Sequence, residues 1–226
     1  MEKGVSKLKI ALITIGQSPR IDLYNDLRDY LEKMNYIEIG VLDDYSIDEI
    51  LKKLRPKPGE DFYVTRLKNG SWVKVSIDKI TSELQRKIFE VEEQVDLIVL
   101  LCTGKLNVVS KKPLLSLDEL LISIVSILKP KKLGVLIPEI KQYDLAYSKW
   151  SNVAEGSIVI VNYNPYGEKE NILIDRLKDL KEADLVVLDC IGYTRRHAEI
   201  IKKYLDKPVV LPRTLVFSIV NDLISG

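Results

Sequence analysis

Asp96-Leu97-Ile98-Val99-Leu100-Leu101-Cys102-Thr103-Gly104 is an aliphatic run that closes on a cysteine. An aliphatic run without polar alternation describes a strand covered on both faces, which means a parallel sheet between layers of helix. The run ends on a cysteine followed by a hydroxylic and a small residue. In parallel α/β sheets this carboxyl end of the strand is where ligands bind. A second stretch of the same kind is Leu185-Val186-Val187-Leu188-Asp189-Cys190-Ile191-Gly192-Tyr193-Thr194.

Working outward, short β-branched runs alternate with segments of helical period. Lys9 to Ile15 reads as the first strand, and Gly16-Gln17-Ser18-Pro19 leads into a helix with Ile21, Tyr24, Leu27, Leu31 and Met34 on one stripe. Ser18 is expected to cap that helix, with Pro19 at its first position. Ile37 to Leu42 is the second strand. Phe62 to Leu67 and Trp72 to Ser76 alternate by twos around Asn69-Gly70, the pattern of a β-hairpin. A helical stripe from Ile77 to Val95 precedes the strand that ends at Cys102.

After an apolar helix from about 117 to 128, Pro130 interrupts the chain and the rhythm restarts. Leu133 to Ile137 is a strand. A helix with Ile140, Tyr143, Tyr147 and Trp150 on one stripe leads to the strand Ser157 to Asn162, then to a helix over about 168 to 182 and the strand ending at Cys190. A helix carrying Ile201 and Leu205, a short strand Val209 to Leu211 and a helix from Thr214 complete the series.

Both halves thus run strand, helix, strand, helix, strand, cysteine. Lys9 and Cys102 are 93 positions apart, Lys132 and Cys190 are 58 apart, and the excess of 35 equals the length of the hairpin-bearing segment Asp43 to Ile77. The expected fold class is α/β: two pseudosymmetric lobes with parallel sheets flanked by helices, and a β-hairpin insertion in the first. The first lobe is read as residues 1–105, with its hairpin near 62–76 and completion by the C-terminal helix 214–226. The second is read as 106–213.

Composition narrows the function classes. The 226 residues can bury a sizeable core. A formal net charge of +1, with both signs interspersed, offers no field for nucleic acid or an anionic membrane surface. Lys, Glu, Ile and Leu are abundant beside few Met and a single His, which leans towards a thermophile. The run Ile10 to Ile15 is too short for a signal sequence or a membrane span, so a cytoplasmic location is expected. Nothing in the sequence opposes a homo-oligomer. Two cysteines make no disulfide framework, and no ligand spacing for a metal is present. No GxGxxG or GxxxxGK[ST] follows a strand, so no cofactor is expected. His197 is the sole imidazole and has no nucleophile elbow beside it.

A lone Cys ending a strand is more often a buried small hydrophobe than a reactive group. Two at equivalent points of a repeat favour chemistry, as catalytic residues facing one small site between the lobes. Thr103, Gly104, Gly192, Tyr193 and Thr194 follow them, and backbone amides there can hold an anion. Gln17 and Ser18 lie in the loop after the first strand, where they read first as turn and cap and are also candidates, with Tyr193, for contact with the substrate. Arg20 and Arg213 lie at the same sheet edge and suit a carboxylate, while Arg195 and Arg196 read as surface charge. Asp189 points to the opposite face from Cys190 and reads as structural. Two thiols suit proton removal α to a carboxylate from one face and return to the other, each sulfur about 3.5 Å from the carbon and the two roughly 7 Å apart. A thiolate acting as nucleophile on a double bond or carbonyl, in an isomerase or lyase, fits as well.

The stretches Thr14-Ile15-Gly16-Gln17-Ser18-Pro19-Arg20, Val64-Thr65-Arg66-Leu67, Leu100-Leu101-Cys102-Thr103-Gly104 and Leu188-Asp189-Cys190-Ile191-Gly192-Tyr193-Thr194 resemble the AroM family across nearly the whole chain. That family is similar to the aspartate/glutamate/hydantoin racemases, with two α/β lobes and a cysteine at the strand end of each. The resemblance implies acid/base roles for Cys102 and Cys190, with Thr103 and Thr194 helping to hold a small carboxylate. The chain departs from those racemases after each cysteine: Thr103-Gly104 stands where Asn-Thr is common, and Ile191-Gly192 where Thr-His is common. Three readings follow: a cofactor-independent racemase or isomerase, a noncatalytic small-molecule-binding or regulatory protein on the same fold, and a structural or redox disulfide between the cysteines.

Overall fold

The computed structural model describes residues 7–224. It divides into two compact units, one formed by residues up to Leu117 together with those from Val216 on, the other by Asp118–Leu215. No helix among the described residues is long and apolar enough to cross a membrane.

The first unit is built on a parallel sheet. Its elements in chain order are β1 (Lys9–Thr14), α1 (Ile21–Leu31), β2 (Asn35–Gly40), α2 (Ile47–Glu49) prolonged by a wider turn Ile50–Leu54, the hairpin β3 (Phe62–Arg66) and β4 (Trp72–Ser76), α3 (Ile77–Val91), β5 (Leu97–Leu100) and β6 (Leu114–Ser116). The sheet order is β2-β1-β5-β6. β5 is buried over Ile98, Val99 and Leu100, as a run without polar alternation requires. The stripe of α3 packs Ile80, Leu84, Ile88 and Val91 into one cluster with Ala11, Ile13 and Ile98 of the sheet and with Val73 and Val75 of the hairpin. Gly70 makes the hairpin turn at φ +88°, a conformation open to glycine at little cost.

The second unit contains α4 (Leu117–Leu128, its first residue in the first unit), β7 (Lys132–Ile137), α5 (Tyr143–Ser151), β8 (Ser157–Asn162), α6 (Glu170–Arg176), β9 (Leu185–Leu188), α7 (Arg195–Leu205), β10 (Val209–Val210) and the start of α8 (Pro212–Ile224). Its parallel sheet runs β8-β7-β9-β10. That is the order of the first sheet with β7, β8, β9 and β10 in the places of β1, β2, β5 and β6. The registers coincide as well. Ile13 faces Leu100 and Leu136 faces Leu188, and each cysteine stands two residues beyond. The base of each sheet also carries the same clasp: Asp96 N–H donates to Lys9 O while Lys9 N–H donates to the Asp96 carboxylate, and Asp184 does the same with Lys132.

The two-sheet α/β architecture with a hairpin insertion is thus observed, with local departures. Ser18 does not cap α1; its N–H and hydroxyl donate to Asp43 at 2.7 and 2.6 Å, because a carboxylate is the stronger acceptor. The Ser18–Pro19 bond is cis, and α1 begins at Ile21 without a side-chain cap. Its buried stripe is Leu23, Leu27 and Leu31, leaving Ile21 exposed. In α5 the expected stripe is buried only in part. Trp150 is buried, together with Ala146, while Ile140 is exposed and Tyr143 and Tyr147 stack on each other at the surface. The expected helix over 168–182 is shorter and tightens into a 3₁₀ turn at Leu177–Leu180.

Candidate active site

At the strand ends of the first unit, Cys102 follows β5 and is nearly covered. Its Sγ accepts the backbone N–H of Gly104 at 3.4 Å. A Cβ on Gly104 would run into the ring of Tyr63 on β3, so glycine lets that ring lie flat over the turn. The Tyr63 hydroxyl donates to Lys105 O at 3.0 Å. Thr103 is buried beside the thiol.

The loop after β1 is held from two sides. Gly16 lies so close to the Arg66 carbonyl that no side chain fits, and Gln17 N–H donates to that carbonyl at 3.1 Å. The Gln17 side-chain amide donates to Leu42 O and Tyr45 O and accepts from Lys68 N–H. Gln17 therefore ties the loop after β1 to the loop after β2 and to the hairpin. Ser18 is tied to Asp43, whose carboxylate also accepts from Gly40 N–H. Arg20 is buried, with its fork on both Asp22 oxygens at 2.8 and 2.9 Å and a further nitrogen on Thr14 Oγ1. The internal partner of that guanidinium is the Asp22 carboxylate, with Arg66 3.9 Å from the same group. Arg20 N–H also donates to Glu38, whose carboxyl burial lifts above the usual range although Arg20 works the other way.

The second unit repeats this arrangement. Cys190 follows β9, nearly covered, and its Sγ accepts Gly192 N–H at 3.4 Å, the same two-residue return as at Cys102. An aromatic ring again covers the glycine: a Cβ on Gly192 would lie 2.5 Å from Cζ of Tyr166. The Tyr166 hydroxyl is 3.8 Å from Cys190 Sγ. An N–H or O–H directed at sulfur favours the thiolate over the thiol.

The turn after Cys190 is anchored in the core. Arg213 is fully buried at the start of α8 and donates to Ile191 O and Gly192 O at 2.9 to 3.1 Å. Tyr193 is buried and donates to Tyr163 O at 2.7 Å. Burial first, and then the negative charge of Cys190, hold the Tyr193 phenol well above its ordinary pKa. Thr194 caps α7, its Oγ1 accepting from His197 N–H while its own N–H donates to His197 Nδ1. Arg195 is exposed, and Arg196 is an exposed surface charge paired with Glu170.

Behind the thiol, Asp189 turns to the opposite face, as strand alternation requires. Its carboxylate accepts Trp150 Nε1–H at 2.7 Å and Lys149 Nζ at 3.0 Å. The same ammonium lies 2.7 Å from Asp118 and 4.5 Å from the Trp150 ring centre. Burial opposes the charge of Lys149, but Asp189 and Asp118 outweigh it and raise its pKa.

Of the residues singled out by sequence, Cys102, Thr103 and Gly104 gather at the strand end in the first unit, and Cys190, Gly192 and Thr194 in the second. Gln17, Ser18, Arg20, Tyr193 and Arg213 make the braces described above. The sequence does not point to Tyr63 or to the Lys149 network, while Tyr166 lies in Asn164-Pro165-Tyr166-Gly167, which ends a strand on the ligand edge and reads there as an ordinary polar loop. For the two rings, the glycine two positions after each cysteine is a local signal.

A family model described as AroM protein matches residues 10–224. No curated protein matches the chain. Among solved structures, maleate isomerase Iso from Pseudomonas putida S16 is 13% identical, covers 97% of this chain and 98% of its own, and superposes with a TM-score of 0.63. Allantoin racemase from Klebsiella pneumoniae is 12% identical over 96% of this chain and 88% of its own, TM-score 0.62. Glutamate racemase from Aquifex pyrophilus is 18% identical over 96% and 84%, TM-score 0.57. At these identities the likeness establishes the fold.

Proposed function

Because the chain belongs to the AroM family, whose fold it shares with racemases and an isomerase, we propose that it is a cofactor-independent racemase or isomerase of a small carboxylate, using Cys102 and Cys190 as its acid/base pair. One observation carries this reading. Both cysteines occupy the same register position beyond the central strands of two like-ordered sheets, and each sulfur receives the N–H of the glycine two residues on. Chance burial of two small apolar residues would not repeat the amide contact and the covering ring.

In the racemase form, one sulfur as thiolate takes the proton from the carbon α to the carboxylate, forming S–H as C–H breaks. The electron pair passes into the carboxylate as an enolate. The other sulfur, as thiol, returns a proton to the opposite face and is left as thiolate, so the protein gains and loses no net proton. The hydroxyls of Thr103 and Thr194 in the two cysteine turns hold the carboxylate. Gln17, Ser18, Arg20, Tyr193 and Arg213 keep the loops that carry these groups in place.

Neutral-pH alkylation with iodoacetamide, read peptide by peptide, tests the reading. Both thiols are expected to react, and α-substituted small carboxylates to slow both reactions. Inert thiols together with a carboxylate that still raises the melting temperature would replace it with the noncatalytic binding protein. A mass increase of two hydrogens on reduction would replace it with a disulfide.

A further inference from the structure

Each cysteine turn has its own covering tyrosine, Tyr63 in the first unit and Tyr166 in the second, and the Tyr166 hydroxyl reaches the sulfur of Cys190. Tyr166 belongs to a braced loop rather than a loose one: its N–H donates to Asn164 Oδ1 at 2.9 Å, Asn164 N–H donates to the Glu168 carboxylate at 2.7 Å, and the Tyr163 hydroxyl donates to Glu168 O. The ring lies against Gly192, where a methyl group would displace it. Loop and glycine together fix the hydroxyl 3.8 Å from Cys190 Sγ, on the same sulfur that Gly192 N–H meets at 3.4 Å.

We infer that Tyr166 is a positioning residue for Cys190, its O–H donating to the thiolate and holding it for reaction; the inference rests on the reading of Cys190 as a reacting group. The direction of donation follows from ordinary acidities. A thiol gives up its proton near pH 8.5 and a phenol near pH 10, so over the range in which the thiolate forms the phenol keeps its proton. No proton changes owner. The hydrogen bond stabilises the charged sulfur and so widens the pH range in which it is anionic.

Other ionisable groups surround the turn. Arg213 holds the Ile191 and Gly192 carbonyls, Tyr193 donates to Tyr163 O, His197 accepts from Thr194 N–H, and Asp189 faces away onto Lys149. Tyr166→Phe keeps all of them and keeps the ring over Gly192, so its effect isolates the hydroxyl.

The test is the pH profile of Cys190 alkylation in the full chain carrying Cys102→Ser, with and without Tyr166→Phe. The midpoint is expected to rise by about one pH unit in the phenylalanine variant, with alkylation near neutral pH slowed by about tenfold. Gly192→Ala, which pushes the ring aside while keeping its N–H, should raise the midpoint in the same sense. Combined with Tyr166→Phe it should add little further. An unchanged or lowered midpoint in Tyr166→Phe, or full additivity of the two substitutions, overturns the inference. A shifted midpoint in a protein that exchanges no substrate proton would sink the proposed function and leave the Tyr166 contact standing.

Discussion

Replacing Lys149 by methionine tests whether the charge network behind Cys190 supports the second unit. The ammonium has a side-chain exposure of 13%, and its partners Asp118 and Asp189 have 4% and 8%. Methionine fills the same volume but leaves two nearly buried carboxylates facing each other without a cation. Breaking a buried pair from one side costs about 3–5 kcal/mol. An exposed pair such as Lys53–Glu49, at 54% and 44%, is screened by solvent and contributes little. Against a typical stability of about 5–15 kcal/mol, Lys149→Met should therefore remove a large share, and Lys53→Met almost none.

The pH dependence has a definite sign. In the wild type the raised pKa of Lys149 contributes stability that is complete below the unfolded lysine value, about 10.4, and is lost as pH rises through the folded value. Urea unfolding followed by circular dichroism measures the loss and its pH dependence. If Lys149→Met unfolds within about 1 kcal/mol of wild type at neutral pH, or if its deficit does not shrink as pH rises through the lysine range, the network is not what holds Asp189 in place.

Two further outcomes follow from single contacts. Gly16→Ala places a methyl against the Arg66 carbonyl and 2.6 Å from Thr65 Oγ1, so the hairpin must shift; a loss of about 1–3 kcal/mol is expected in the same unfolding assay. Thr194→Ala removes the side-chain acceptor at the start of α7 and should lower stability by about 0.5–2 kcal/mol, with amide exchange of His197 N–H accelerated.

The sheets were legible because buried parallel strands write themselves as aliphatic runs, and the repeat because Lys9 and Lys132 begin strands of matching register. What escaped depends on contacts between distant segments. Nothing in Tyr143 or Tyr147 says that the two rings will stack at the surface. β6 has three residues and is defined by its pairing with β5. Arg20 could be placed at the ligand edge from sequence, but that Asp22 fills its fork is a matter of rotamers. The same holds for Arg213, whose hold on the Ile191 and Gly192 carbonyls joins residues more than twenty positions apart. Ser18 had a helix to cap and a carboxylate to bind, and only the fold brought Asp43 within reach.

The central claim, that two thiols move a proton on one small carboxylate, is tested most directly by solvent exchange. Panels of α-amino and α-hydroxy acids incubated with the protein in D2O are followed by mass spectrometry for deuterium at the α carbon. Uptake into at least one acid is expected with the wild type, lost or reduced by orders of magnitude in Cys102→Ser and in Cys190→Ser. Uptake that persists unchanged in either variant, or that no panel member shows, would contradict the claim.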